Sequence, residues 1–231
     1  MQIVILAGGL GTRLKPITNT IPKPMALVGN EPFLLFLLKN LKNKGLTKIL
    51  LLVGYKSEII KDFFKDGSQF GVDIEYSVED MPLGTGGSLK NAETLLEKKF
   101  FLVNGDTFID LNFDDFIKSA KAKKNSLIMV AAYEGPQNNE FKYNIGVNSD
   151  DKIFAYSKIQ NNKDLNAVDA GVYYVDKKIL KFIPKDKFSL EVQLFPKLIE
   201  NDRIFAYKTK QKFYDIGTIQ RLKNLRSKVM R

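Results

Sequence analysis

The 231-residue chain contains no cysteine and no histidine. The first absence excludes a disulfide framework. The two together exclude the usual zinc sites and the Ser-His and Cys-His pairs of nucleophilic catalysis. No apolar run approaches the roughly 20 residues needed to cross a bilayer. Met1 leads directly into "QIVIL", with no basic segment before it and no small-residue cleavage site after it, so the reading expects no secretory signal and a cytoplasmic protein. Linkers rich in Gly, Pro or Ser and internal repeats are missing as well. One domain over 1–231 is expected.

Charge is not scarce but one-sided: 36 Lys and Arg against 26 Asp and Glu give a net charge of +10. Nucleic acid, an anionic membrane surface or small anionic substrates could each account for it. Nucleic-acid binding concentrates cations on one element, whereas these lysines are spread along the whole length. The nearest approach to a patch is "QRLKNLRSKVMR", where Leu222, Leu225 and Val229 recur at helical spacing. That pattern predicts a packed helix with a basic solvent face. Neither nucleic acid nor membrane is expected as a partner, and oligomeric state is not readable.

In the first half, strand and helix signals alternate: "QIVIL", then a helix in "NEPFLLFLLKNLKNKG" with Asn30 as N-cap, "KILLLVG", a helix capped by Ser57, "VDIEYSV", a helix from "TGGSL", "FFLVNGD", "NFDDFIKSAKAKK" and "SLIMVAAY". This pace predicts an α/β fold with a doubly wound, mostly parallel, mixed Rossmann-like sheet. From about residue 136 the texture turns β-rich, with a hairpin in "IGVNSDDKIFAYSKI", a strand in "NAVDAGVYYV", a helix in "LEVQLFPKLIEN", short strands in "RIFAYKT" and "KFYDIG", and a last helix capped by Thr218. The expected division is a nucleotide-binding half over 1–135, a sugar-phosphate-binding half over 136–217 forming the lid or wall of a cleft, and a C-terminal helix over 218–231.

The stretch "LAGGLGTRLKPITNTIPKPM" at 6–25 leaves the first strand where open α/β sheets bind ligands. Gly8, Gly9 and Gly11 let backbone N–H groups converge on phosphate oxygens. Arg13 can add a bidentate fork, and Lys23, bracketed by Pro22 and Pro24, a fixed point charge. The dinucleotide pattern fails because position 14 is leucine, and no Walker lysine follows a glycine. A polyphosphate is nevertheless the ligand this loop fits.

"LAGGLGTRLKPIT" with "PKPM" resembles the signature of the sugar-1-phosphate nucleotidyltransferases. The resemblance continues through "PLGTGGSL" at 82–89, "VNGDT" at 103–107, "IGV" at 145–147, "DAGVYY" at 169–174, "SLE" at 189–191 and "YDIGT" at 214–218. Within that family the stretch 53–90 is most similar to the D-glycero-α-D-manno-heptose 1-phosphate guanylyltransferases. The resemblance implies an enzyme joining a nucleoside triphosphate to a sugar 1-phosphate with release of pyrophosphate, Mg²⁺ as cofactor, and a product destined for cell-surface polysaccharide. Rival readings are a uridylyl-, thymidylyl- or mannose-1-phosphate guanylyltransferase and a non-catalytic binder of nucleotide-sugar.

By the same resemblance, Asp106 and Asp215 bind the metal, although Asp215, just before Gly217 and Thr218, also suits a turn. Arg13 and Lys23 complete the catalytic set. Leu6, Ala7, Gly8, Gly9, Gly11, Thr12, Arg13, Glu79, Pro82, Gly84 and Thr85 form the nucleotide site, with Thr85 also a candidate helix cap. Gly146, Lys158, Asp169, Gly171 and Glu191 form the sugar-phosphate site. Many relatives have Asn at position 169, and proline at position 159 where this chain has Ile159. Glu79 lies five residues before Gly84, where several uridylyl and thymidylyl relatives have glutamine. A carboxylate accepts from both N1–H and N2–H of guanine, which favours GTP.

Overall fold

In β1 (Gln2–Leu6) Ile3 and Ile5 face one side of the sheet and Val4 the other, and all three are wholly buried. Period-two alternation with both faces apolar is what a central parallel strand covered by helices requires. The computed structural model describes residues 1–135, 141–157 and 164–229. After β1 follow β2 (Leu27–Val28), β3 (Glu31–Pro32), α1 (Phe33–Asn43), β4 (Lys48–Val53), α2 (Ser57–Phe64), β5 (Asp73–Val78) and α3 (Gly84–Asn91). The chain continues through β6 (Lys99–Asn104), β7 (Thr107–Ile109), α4 (Phe113–Ala122), β8 (Ile128–Tyr133), β9 (Ile145–Val147) and β10 (Ile153–Tyr156). It ends with β11 (Val168–Asp176), α5 (Phe195–Glu200), β12 (Ile204–Thr209), β13 (Phe213–Asp215) and α6 (Ile219–Val229).

Seven strands form the main sheet in the order β12-β8-β11-β6-β1-β4-β5. Only β11 runs antiparallel to its neighbours β6 and β8. The mixed, mostly parallel α/β sheet anticipated from the alternation is thus present. α1, α2 and α4 cover one face, where Phe101 meets Phe113 and Phe116 edge-on at 4.8 and 5.3 Å. α3, α5 and the β9–β10 hairpin cover the other.

Three helix starts depart from the sequence-based expectation. α1 begins after Pro32, not at Asn30: the Phe33 N–H donates to the Ala26 carbonyl at 3.0 Å, so backbone just before β2 does what a side-chain cap would. α2 has Lys56 at the cap position in left-handed conformation (φ 53°) and Ser57 as its first residue, because the Ser57 N–H closes the turn onto the Gly54 carbonyl. α3 starts at Gly84 without a side-chain cap, since Thr85 points elsewhere. Thr218 does cap α6, its hydroxyl accepting from the Arg221 N–H at 3.3 Å.

α6 matters for position more than for bulk. Its Leu222 and Leu225, with Ile216, pack on Leu14, Ala26, Val28 and Phe33, all buried, so the last helix seats on the loop that carries Arg13 and Lys23. Leu222→Ala should cost about 2–5 kcal/mol of unfolding free energy, the range for truncating a buried leucine. Urea denaturation checks it: a loss under about 0.5 kcal/mol would show that the helix does not fasten the loop.

Candidate active site

The chain leaving β1 must turn sharply while keeping its N–H groups exposed, and glycine permits this. Gly11 adopts φ 62°, and a Cβ there would come within 2.8 Å of the Thr18 side chain and 3.0 Å of Lys23 Cβ. Thr18 locks the loop by donating to the Gly11 carbonyl at 3.0 Å. Short 3₁₀ turns at Thr12–Leu14, Ile17–Asn19 and Lys23–Met25 then bring Lys23 back beside the glycines. At the end of β6 the Gly105 N–H donates to the Leu6 carbonyl at 2.9 Å, and a Cβ at 105 would lie 2.5 Å from that oxygen. The two strand ends meet only because residue 105 has no side chain.

A cleft of about 420 Å³ opens at these strand ends. Every residue of the expected nucleotide set borders it, as do Lys23, Asp106 and Glu191. Lys23 Nζ contacts Asp106 Oδ2 in a partly buried ion pair. β7 pairs with β13 so that Asp215 lies opposite Thr107, one residue from Asp106. Asp215 does not itself border the cleft. Its Oδ1 accepts from the Gly217 N–H and its Oδ2 from Arg221 Nη1, both at 2.7 Å, and Gly217 borders the cleft in its place. Burial, and then the negative charge of Asp106, push the Asp215 carboxyl above its ordinary value, while the Gly217 N–H and Arg221 oppose them. Arg221 also lies over the Phe141 ring at 4.7 Å. Among the described residues no three acidic side chains converge as a full metal cage. Two neighbouring carboxylates, each already facing a positive group, nonetheless suit Mg²⁺, which takes one or two carboxylates and fills its shell with water and phosphate.

Glu79 follows β5 and reaches back over the neighbouring strand ends. Its Oε1 fills the space where a Cβ of Gly8 or Gly54 would sit, 2.9 Å from either position. Its Oε2 accepts from Ser88 Oγ at 2.6 Å. The carboxylate is therefore held at the cleft wall with one oxygen anchored. Thr85, excluded as a cap, donates to Glu191 Oε2 at 2.8 Å and accepts from the Leu190 N–H at 2.9 Å. Ser189 donates to the same Glu191 oxygen at 2.7 Å. A π-helical turn over Leu190–Leu194 presents Glu191 there.

The remaining described residues of the sugar-phosphate set, Gly146, Asp169 and Gly171, stand back from the cleft. Gly146 lies in the β9–β10 hairpin, where a Cβ would strike the Phe154 ring at 2.6 Å. Asp169 sits at a bulge in β11, accepting from the Gly171 N–H and from the Tyr173 and Tyr156 hydroxyls at 2.8, 2.8 and 3.0 Å. Burial raises its carboxyl to about 6 against those three donors. Gly171 (φ 70°) abuts Asn104, which does border the cleft. Lys158 lies outside the described residues. The sequence reading missed Asn104, Gly105, Ser88 and Gly217, although each stands inside a quoted motif, and it missed Gly54 and Arg221, for which no local pattern exists.

Residues 2–231 match the nucleotidyl transferase family model. The chain is 38% identical over 194 residues to the D-glycero-α-D-manno-heptose 1-phosphate guanylyltransferase of Campylobacter jejuni, covering 83% of each. It is 32% identical over 226 residues to the mannose-1-phosphate guanyltransferase of Saccharomyces cerevisiae, covering 94% of this chain but only 61% of that protein. Among solved structures, HddC from Yersinia pseudotuberculosis complexed with GMP-PN superposes with a TM-score of 0.85 at 32% identity and 99% coverage of both chains.

The Asp169 carboxyl carries a pH signature. Its pKa is raised in the folded chain from 3.8 to about 6. Between these values the native state holds a proton that the unfolded chain has released, so this group's contribution to stability falls as pH rises through the window. Urea denaturation from pH 4 to 7 should show a steeper decline for the wild type than for Asp169→Asn. Parallel curves would place the carboxyl in a solvated environment instead.

Proposed function

The chain belongs to the nucleotidyl transferase family, and from that membership we propose that it transfers a guanylyl group from GTP to a sugar 1-phosphate, with D-glycero-α-D-manno-heptose 1-phosphate as the sugar. The observation that carries the chemistry is the convergence of the glycine turn, Arg13, Lys23 and Asp106 on one cleft. The Campylobacter relative, aligned over most of both chains, supports the choice of sugar and base. The same reading assigns the product to cell-surface polysaccharide assembly from the cytoplasm.

An oxygen of the sugar phosphate attacks the α-phosphorus of GTP. A new P–O bond forms there and the bond to the β-phosphate oxygen breaks, releasing pyrophosphate. A phosphate monoester with its second pKa near 6 is already dianionic at neutral pH, so no general base is required. A chain without histidine or cysteine can run this reaction by positioning and charge neutralisation alone. The backbone of residues 8–11 cradles the triphosphate. Arg13 neutralises the departing pyrophosphate, and Lys23 the crowded charge between the α-phosphate and the sugar phosphate. Asp106 and Asp215 hold Mg²⁺, which when bound offsets charge on the phosphate oxygens. Glu79, anchored by Ser88, accepts from the guanine edge, and Pro82, Gly84 and Thr85 line the base. Glu191, which borders the cleft, receives a sugar hydroxyl, with Asp169 set behind it on β11.

Pyrophosphate release with GTP, ATP, UTP and CTP, each against heptose 1-phosphate and mannose 1-phosphate, tests the reading. GTP with the heptose should dominate, and faster turnover with UTP would overturn the base. Asp106→Asn should keep the wild-type circular dichroism spectrum and lose at least about 10²-fold in kcat, the scale for removing one charge-stabilising group. Undiminished turnover would remove Asp106 from the centre. Chelation by EDTA should silence the wild type and added Mg²⁺ restore it.

A further inference from the structure

The Gly54–Lys56 segment that leaves β4 bonds the loop carrying Arg13 and Lys23 at three points. The Tyr55 N–H donates to the Gly8 carbonyl at 3.4 Å, the Tyr55 hydroxyl to the Thr18 carbonyl at 3.0 Å, and Lys56 Nζ to the Thr20 carbonyl at 3.1 Å. Successive side chains of an extended strand point to opposite sides, yet Tyr55 and Lys56 both reach the 18–20 limb of one loop. The left-handed conformation of Lys56 (φ 53°) makes that bend, and a residue with a side chain adopts it only at a cost. Tyr55 itself does not border the cleft.

These bonds close a ring around the glycine turn. Gly8 is tied to Tyr55, Tyr55 to Thr18, and the Thr18 hydroxyl to the Gly11 carbonyl at 3.0 Å. Inside the ring lie Gly9 and Leu10, which have little packing of their own: a Cβ at Gly9 would meet nothing within 4 Å, and Leu10 is 47% exposed. Backbone without packing keeps its shape only where it is fastened, and whatever is left free must be ordered when a ligand binds. Thr18 is 2% exposed, so its two bonds are shielded from competing water. Tyr55 is the member of the ring that comes from outside the loop. Without its hydroxyl, the link from Thr18 back to Gly8 is broken.

We propose that Tyr55 is a positioning residue that pre-shapes the phosphate-binding turn for the nucleotide, acting through Thr18 and without touching the ligand. The inference rests on the reading of the chain as a sugar-1-phosphate guanylyltransferase and deepens it at the triphosphate end. Tyr55→Phe removes the hydroxyl and keeps the ring, and Thr18→Val breaks the next link. Each variant should keep the wild-type circular dichroism spectrum. Each should bind GTP, titrated calorimetrically with Mg²⁺ present, about three- to tenfold more weakly, the scale of one lost hydrogen bond. In steady-state kinetics the KM for the sugar phosphate should stay within about twofold of wild type, whereas a general loosening of the fold would raise both values. The double variant should bind GTP within about twofold of the weaker single variant, because either break opens the same ring. Unchanged GTP affinity in Tyr55→Phe, equal losses for both substrates, or losses that multiply in the double variant would each overturn the proposal. A wild type that binds no GTP would sink the guanylyltransferase reading as well, whereas a wild type that binds it with unmoved variants sinks only the role of Tyr55.

Discussion

The contact between Lys23 and Asp106 fastens the loop after β1 to the end of the neighbouring strand β6. One side comes from a loop that wanders through three 3₁₀ turns after β1, the other from the end of β6. Both side chains are mostly withdrawn from water, at 12% and 29% exposure. Truncating either would leave the other partly desolvated without a counter-charge, which costs more than the pair itself contributes. Much of the surrounding backbone serves to keep this meeting in place. Thr18 ties down the glycine turn, Gly105 lets the two strand ends touch, and Leu14 and Ala26 anchor the loop in the apolar cluster beneath α6.

The rest of the cleft repeats one design at smaller scale. Three carboxylates at or beside the ligand space are each held by neighbouring donors. Ser88 holds Glu79, Thr85 and Ser189 hold Glu191, and Arg221 with the Gly217 N–H holds Asp215. Hydrogen bonds to charged acceptors are roughly twice as strong as neutral ones, so such supports fix orientation as well as charge. Positioning of this kind is the main resource of an enzyme whose chemistry requires no proton transfer.

The sheet and the glycine loop were legible in the sequence because their causes are local. Strand alternation, glycines at a strand exit and a proline-bracketed lysine act within a few residues of themselves. The caps at Asn30 and Ser57 were misread because backbone from elsewhere supplied the bonds that the side chains were expected to make. Thr85 was drawn off by Glu191, more than a hundred positions away. The grip of Arg221 on Asp215 could not be read either, since it needs α6 to turn back over β13. Asn104 was passed over for a related reason: at a strand end it is unremarkable, and only Gly171 across the sheet shows that room has been made for it.

The seating of α6 on the loop after β1 has a consequence for how the molecule is born. Arg226 Nε also bonds the Leu27 carbonyl, tying residues 199 positions apart. A ribosome working from the amino terminus would expose the glycines and both cations long before the element that steadies them. Until α6 emerges, that loop lacks the apolar surface of Leu222 and Leu225 that covers it in the folded chain.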